Sequence, residues 1–75
     1  MRYFHDQAGT EWFVAVGKES YGSMVLIFAR SHSTEVRKYY FEASGRLAAE
    51  RELDSLSDAE LAGALADSVP WDGSE

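Results

Sequence analysis

The sequence contains no cysteine, and it has a single proline among its 75 residues. The absence of cysteine excludes disulfide staples, thiolate metal sites and cysteine nucleophiles. No apolar run reaches the length of a signal peptide or of a membrane-spanning helix. We therefore expect one small soluble domain, residues 1–75, that is located in the cytoplasm and has no membrane partner.

Basic residues are also few, with seven Lys and Arg against thirteen Asp and Glu, and the net charge is −6. Residues 42–75 hold nine of the acidic groups and only two of the basic ones. An acidic domain repels the phosphate backbone, which disfavours nucleic acid as a partner. The acidity either attracts a basic partner to the C-terminal half or only keeps the protein soluble.

The N-terminal part of the chain is rich in β-branched and aromatic residues, which is typical of strands. Short Gly, Ser, His and Thr connections separate the segments, so neighbouring strands are expected to pair antiparallel as a meander. The pattern predicts strands at about residues 2–6, 10–17, 22–30 and 34–43.

After Ser44 the composition changes to good helix formers, which predicts helices at about residues 46–54 and 57–67. Ser57 and Glu60 have the spacing of a capping box at the start of the second helix. Pro70 ends that helix, because the residue before a proline avoids the helical region. The predicted fold class is α+β, a three- to four-stranded antiparallel meander followed by one or two C-terminal helices on one face.

The stretch AVGKESYGS, residues 15–23, contains a Gly-Lys pair that is also found in phosphate-binding loops. Such a loop needs a glycine five residues before Gly17, where Trp12 stands, and Ser or Thr after the lysine, where Glu19 stands. A strand follows it instead of a helix, so no helix N-terminus is available to bind phosphate. The stretch is interpreted as a hairpin turn.

The two histidines, His5 and His32, have no neighbours at the spacing of a catalytic triad or of a metal site. We therefore predict no catalytic, metal-binding or cofactor-binding residue, and a protein that is not an enzyme. One alternative is an enzyme or small-ligand binder with a pocket between sheet and helix, near His5, Arg37 and Tyr39. A less favoured alternative is a single-strand nucleic-acid binder that uses Arg30, Arg37, Lys38 and the sheet aromatics.

The sheet has more apolar surface than two short helices can cover. The strand MVLIFA is apolar on both sides, as is normal for a strand buried on both faces. The sheet closes into a small barrel, or the helices divide between its faces, or a second chain covers the bare face. We favour the third arrangement. The second chain is then either another copy, which gives a homodimer, or a different protein, for which this chain is an adaptor or regulator.

Alternation along the strands assigns residues to two faces, although the register between strands is not visible in the sequence. One face is expected to hold Trp12, Val14, Val16, Met24, Leu26, Phe28, Val36 and Tyr40. The bare face, which is the predicted interface, is expected to hold Phe13, Val25, Ile27, Tyr39 and Phe41. Trp71 either anchors the end of the chain on the sheet or belongs to a motif that a partner binds.

The run from Phe4 to Trp12, with the later segments LSDAEL and PW, resembles a group of small bacterial single-domain proteins. Their general pattern is F-x-D-x-x-G-x-x-W, then strands, then an L-S-D-x-E-L helix. The resemblance covers most of the chain and implies the fold. Its motifs are a hairpin turn and a helix cap, and no activity is established for the group, so it implies no functional residue.

Overall fold

A computed structural model describes residues 2–18 and 23–71 of the chain. Five strands and two helices are present in this part, and the predicted α+β class is confirmed. The elements in chain order are β1 (Arg2–His5), β2 (Glu11–Lys18), β3 (Met24–Arg30), β4 (Val36–Tyr40), α1 (Arg46–Ser55), α2 (Asp58–Ala66) and β5 (Val69–Pro70).

The strands form one antiparallel sheet in the order β1-β2-β3-β4-β5. Lys18 pairs with Met24, so β2 and β3 are a hairpin, as the Gly-Lys stretch predicted. The turn itself, residues 19–22, lies outside the described residues. The two-residue strand β5 was not predicted. After α2 the chain returns to the sheet, where Val69 pairs with Lys38 on the outer side of β4.

The turn between β1 and β2 is organised by the carboxylate of Asp6. Its Oδ1 accepts hydrogen bonds from the backbone N–H groups of Ala8 and Thr10, each at 2.9 Å. Its Oδ2 accepts one from the indole Nε1 of Trp12 at 3.0 Å. Gly9 has a φ of 84°, a conformation that glycine adopts without a steric penalty. Three donors on one short side chain therefore hold the hairpin closed.

Both helices lie on the same face of the sheet. Each Leu, Phe or Val side chain buried between the layers contributes roughly 1.5–3 kcal/mol relative to exposure. The fully buried side chains of this core include Phe4, Val14, Leu26, Phe28, Leu53 and Leu61. The described chain therefore does not form a closed barrel, and its helices are not divided between the two faces of the sheet.

The predicted capping box at the start of α2 is present. Ser57 Oγ accepts from the backbone N–H of Glu60 at 3.1 Å, and the Glu60 carboxylate accepts from the N–H of Ser57 at 2.8 Å. Leu61 follows one residue later and is fully buried. The local sequence therefore determines both where α2 begins and which side of it faces the sheet.

Arg2 connects the first strand to the junction between the helices. Its Nη1 donates to the carbonyl oxygens of Leu53 and Leu56, at 2.9 and 2.5 Å, at the C-terminal end of α1. Its Nη2 donates to Asp58 Oδ1 at 3.1 Å at the start of α2. A cation is favourable at a helix C-terminus, where the last carbonyl groups have no partner within the helix.

No helix in the described part of the chain has the length and apolar character needed to cross a membrane.

Candidate functional site

The face of the sheet opposite the helices is the candidate functional site, and we call it the open face. Strand pairing arranges its residues in three rows that run across the sheet, and the pair of His5 and Glu11 lies beyond the first row at the end of β1 and β2. The first row is Tyr3, Phe13, Ala29 and Val36, the second is Ala15, Ile27, Lys38 and Val69, and the third is Gly17, Val25 and Tyr40.

The open face is apolar, and part of it is accessible to solvent. Tyr3 is 61% exposed, Tyr40 52% and Val69 46%, although each is a large hydrophobic side chain. Phe13 and Ile27 between them are half-buried. Both described helices pack on the opposite side, so the aromatic side chains at the two ends of the face border water rather than protein.

The centre of the open face is closely packed because Gly17 has no side chain. A Cβ at Gly17 would collide with Cδ1 of Ile27 and would lie 3.3 Å from Cγ2 of Val25. Ile27 therefore lies across the glycine, and Val25 beside it is only 2% exposed. The space over Gly17 is therefore filled by apolar side chains of β3.

Aromatic contacts order both ends of the open face. The rings of Tyr3 and Phe13 meet edge to face, with centroids 5.1 Å apart and planes at 67°. At the other end the Lys38 ammonium lies 5.2 Å from the centre of the Tyr40 ring, which is a cation–π distance. These contacts hold exposed rings in defined positions, and pre-organised side chains lose less entropy when a partner binds.

Charge is distributed unequally between the two layers of the molecule. Lys38 is the only charged side chain in the three rows of the open face, and Glu11 lies beyond them at its end. The two helices, in contrast, carry five carboxylates and two arginines. The negative charge of the described chain is therefore concentrated on the side opposite the open face.

Three of the residues predicted for the bare face, Phe13, Val25 and Ile27, are on the open face. Tyr39 and Phe41 are not, and their assignment is corrected. Both pack against the core on the helix side. The pairing of Leu26 with Tyr39 places the odd-numbered residues of β4 on the helix side. A shift of one residue in strand phase exchanges the two faces.

The same register corrects Val36 and Tyr40, which were expected on the covered face and belong to the open face. Tyr3 was missed altogether. A signal for it existed in the sequence, because residues equally far from the turn at Ala8 pair across a hairpin. That rule pairs Phe4 with Trp12 and Tyr3 with Phe13, as the structure does.

Trp71 continues the register of β5, and its backbone N–H donates to the carbonyl of Val36 at 2.9 Å. The side chain is half-buried, and its indole nitrogen is buried with no hydrogen-bond partner among the described residues. The last part of the described chain is thus attached to the sheet edge. A role for Trp71 in binding stays a prediction.

His5, Arg37 and Tyr39, the residues of the alternative pocket, are not brought together in the structure. His5 is in the edge strand β1, and Arg37 and Tyr39 are in β4, with two strands between. Arg37 is instead bound to the end of α2, where its Nε and Nη2 donate to the Oγ and carbonyl oxygen of Ser68, each at 2.7 Å. Within residues 2–18 and 23–71, no group of three His, Asp or Glu side chains is arranged to hold a metal ion.

An open depression of about 680 Å³ lies at the ends of β3 and β4. It is bordered by Met24, Tyr40 and Phe41 and by the polar residues Ser23, Glu42 and Ser44. A substrate site normally brings several polar groups together in a concave, mostly apolar pocket. With the Tyr40 hydroxyl, four polar side chains border this depression, and Glu42 supplies the one carboxylate among them.

A comparison of the chain with models of known protein families, with curated proteins and with solved structures finds no match. Inference about function therefore rests on the geometry of the open face.

Proposed function

We propose that the protein is a non-enzymatic protein-interaction module that binds its partner through the open face. The observation that carries the proposal is the exposure of Tyr3, Tyr40 and Val69 around an apolar centre on a sheet face that neither of the two described helices covers. Large aromatic side chains dominate the energy of protein interfaces. Contiguous exposed apolar surface of this kind typically marks a binding site.

The distribution of cations favours a protein partner over nucleic acid. Of the three cations that a nucleic-acid site would use, Arg37 is bound to Ser68 on the helix side. Arg30 pairs with Glu35 at 3.4 Å. Lys38 alone lies on the open face, and one cation neutralises too little phosphate charge for a backbone-binding groove.

The shape of the open face favours a protein partner over a small ligand. A small ligand is bound in a concave site that covers most of its surface. The centre of the open face is filled by Ile27 and Val25. An apolar surface with a filled centre and exposed aromatics at its ends suits a second protein surface of similar area.

Affinity capture with two matched variants tests the proposal. The double variant Tyr3→Ser/Tyr40→Ser removes exposed aromatics from the open face, and Leu47→Ser removes a side chain that is 67% exposed on α1. We expect a protein, either a foreign chain or a second copy, to be bound stoichiometrically by the wild type and by Leu47→Ser. The double variant should lose it. If no bound protein depends on Tyr3 and Tyr40, the proposal is wrong.

A further inference from the structure

We infer that the partner of the open face is a second copy of this chain, packed sheet to sheet around a two-fold axis. The inference rests on the proposed function and names its partner. The dimer would have four layers, with the two sheets inside and the two pairs of helices outside.

The size of the molecule agrees with such an interface. It measures 32 × 29 × 18 Å, and the short dimension corresponds to one sheet with one helix layer. A broad face of this size offers on the order of 800 Å² per partner, which is the area of a standard stable interface. A smaller surface or a narrow groove would instead suit a peptide.

The charges favour the open face over the helix layer for self-association. Contact through the helices would bring together two layers that each carry five carboxylates and two arginines. In the sheet-to-sheet dimer two sheets separate these layers, at about 10 Å for each packing step. The helix layers would then be roughly 30 Å apart, which is several times the Debye length of ~8 Å at physiological salt.

A two-fold axis also gives each row of the open face a matching row in the other copy. Strand β3 is central, so a two-fold axis along β3 brings each residue of β2 over a residue of β4 in the other copy. The opposed pairs would be Tyr40 with Gly17, which Ile27 covers, Lys38 with Ala15, and Phe13 with Val36. Near the axis Ile27 and Ala29 would lie close to their own copies.

Sedimentation equilibrium of the purified full chain over a wide concentration range is the first test. The variants are Ile27→Asp on the open face and Leu47→Asp on α1, each checked for folding by circular dichroism. We expect the wild type and Leu47→Asp to dimerise with similar affinity. Ile27→Asp should weaken dimerisation by roughly 100-fold or more, because each interface contains the changed residue twice.

Thiol cross-linking is a second test that does not depend on a disruptive substitution. Since the chain has no cysteine, Ala29→Cys and Ala66→Cys each introduce a unique thiol. A bis-maleimide whose span matches the ~10 Å between packed sheets should link Ala29→Cys into a covalent dimer. It should leave Ala66→Cys, on the exposed side of α2, as a monomer.

Two outcomes overturn the inference: a wild type that is monomeric at every concentration, or a dimer that is insensitive to Ile27→Asp and is linked through position 66. If Ile27→Asp fails to fold, Tyr40→Ser replaces it as the test variant, because the Tyr40 side chain is 52% exposed. A monomer that still binds a foreign protein through Tyr3 and Tyr40 would leave the proposed function intact. A monomer with no such binding would overturn both.

Discussion

The carboxylate of Asp6 accepts a hydrogen bond from the indole nitrogen of Trp12 at 3.0 Å. Trp12 is a core residue, 5% exposed, so its N–H has lost water and needs an acceptor within the protein. The same carboxylate binds two backbone N–H groups of the turn. The conformation of the first hairpin and the position of a core aromatic residue thus depend on one charged group.

These hydrogen bonds make stability depend on pH. The Trp12 indole first, and then the backbone N–H groups of Thr10 and Ala8, lower the pKa of Asp6 below its ordinary value of 3.8. The carboxylate therefore contributes stability that is fully present above 3.8 and is lost as pH falls through the lower folded-state pKa. We expect Asp6→Asn to unfold at lower urea concentration than wild type at neutral pH. The difference should shrink below pH 3.8, and a constant difference across this range would contradict the expectation.

Arg2 is predicted to stabilise the junction between the helices. Arg2→Met keeps most of the aliphatic side chain but removes the donors to Leu53, Leu56 and Asp58, and we expect a loss of about 2 kcal/mol in the free energy of unfolding. Arg51→Met makes the same charge change at an exposed position of α1 and should change stability by less than ~0.5 kcal/mol. Urea denaturation measures both, and equal effects would mean that Arg2 acts only through net charge.

Ser68 and Ser55 form a natural pair for comparison. Each hydroxyl donates to the carbonyl three residues earlier, Leu65 for Ser68 and Glu52 for Ser55. Ser68 is buried and also accepts from Arg37, whereas Ser55 is exposed. Ser68→Ala should cost roughly 1–3 kcal/mol because it leaves the Arg37 Nε without its acceptor. Ser55→Ala should be nearly neutral in thermal unfolding, and a similar cost at both sites would contradict this account.

Replacing glycine by alanine at two positions with free space around them should change the free energy of unfolding in opposite directions. A Cβ at Gly63 or at Gly9 would meet no described atom within 4 Å. Gly63 is inside α2, so Gly63→Ala should stabilise the protein by about 1 kcal/mol. Gly9 has a φ of 84°, so Gly9→Ala should destabilise it by roughly 1 kcal/mol. Chemical denaturation tests both, and destabilisation by Gly63→Ala would show that the helix requires the glycine.

Local patterns in the sequence predicted most of the secondary structure. The capping box of Ser57 and Glu60 predicted the start of α2, and the strands on either side of the Gly-Lys stretch pair antiparallel as expected. These features involve neighbours in the chain, so short-range steric and hydrogen-bonding rules are sufficient. Strand β5 was not predicted, because two residues around Pro70 have no strand signal until β4 provides an edge to pair with.

The composition of the open face could be predicted only in part. Phe13, Val25 and Ile27 were assigned correctly, since the phase expected between β2 and β3 agrees with their pairing. Tyr39 and Phe41 were exchanged with Val36 and Tyr40, because β4 carries large side chains on both sides. Alternation relates residues within one strand, and only the pairing with β3 relates them to the rest of the sheet.

The sequence by itself determined the α+β class, the antiparallel hairpins, the cap of α2 and an excess of apolar surface on the sheet. Each of these follows from local periodicity and from composition. The tertiary structure alone decided that both helices cover the face of Phe4 and Leu26, that Arg2 reaches Leu53, and that Tyr3 and Tyr40 stay exposed. Those relationships join residues far apart in the chain. They are set by packing between whole elements, and no local pattern specifies that packing.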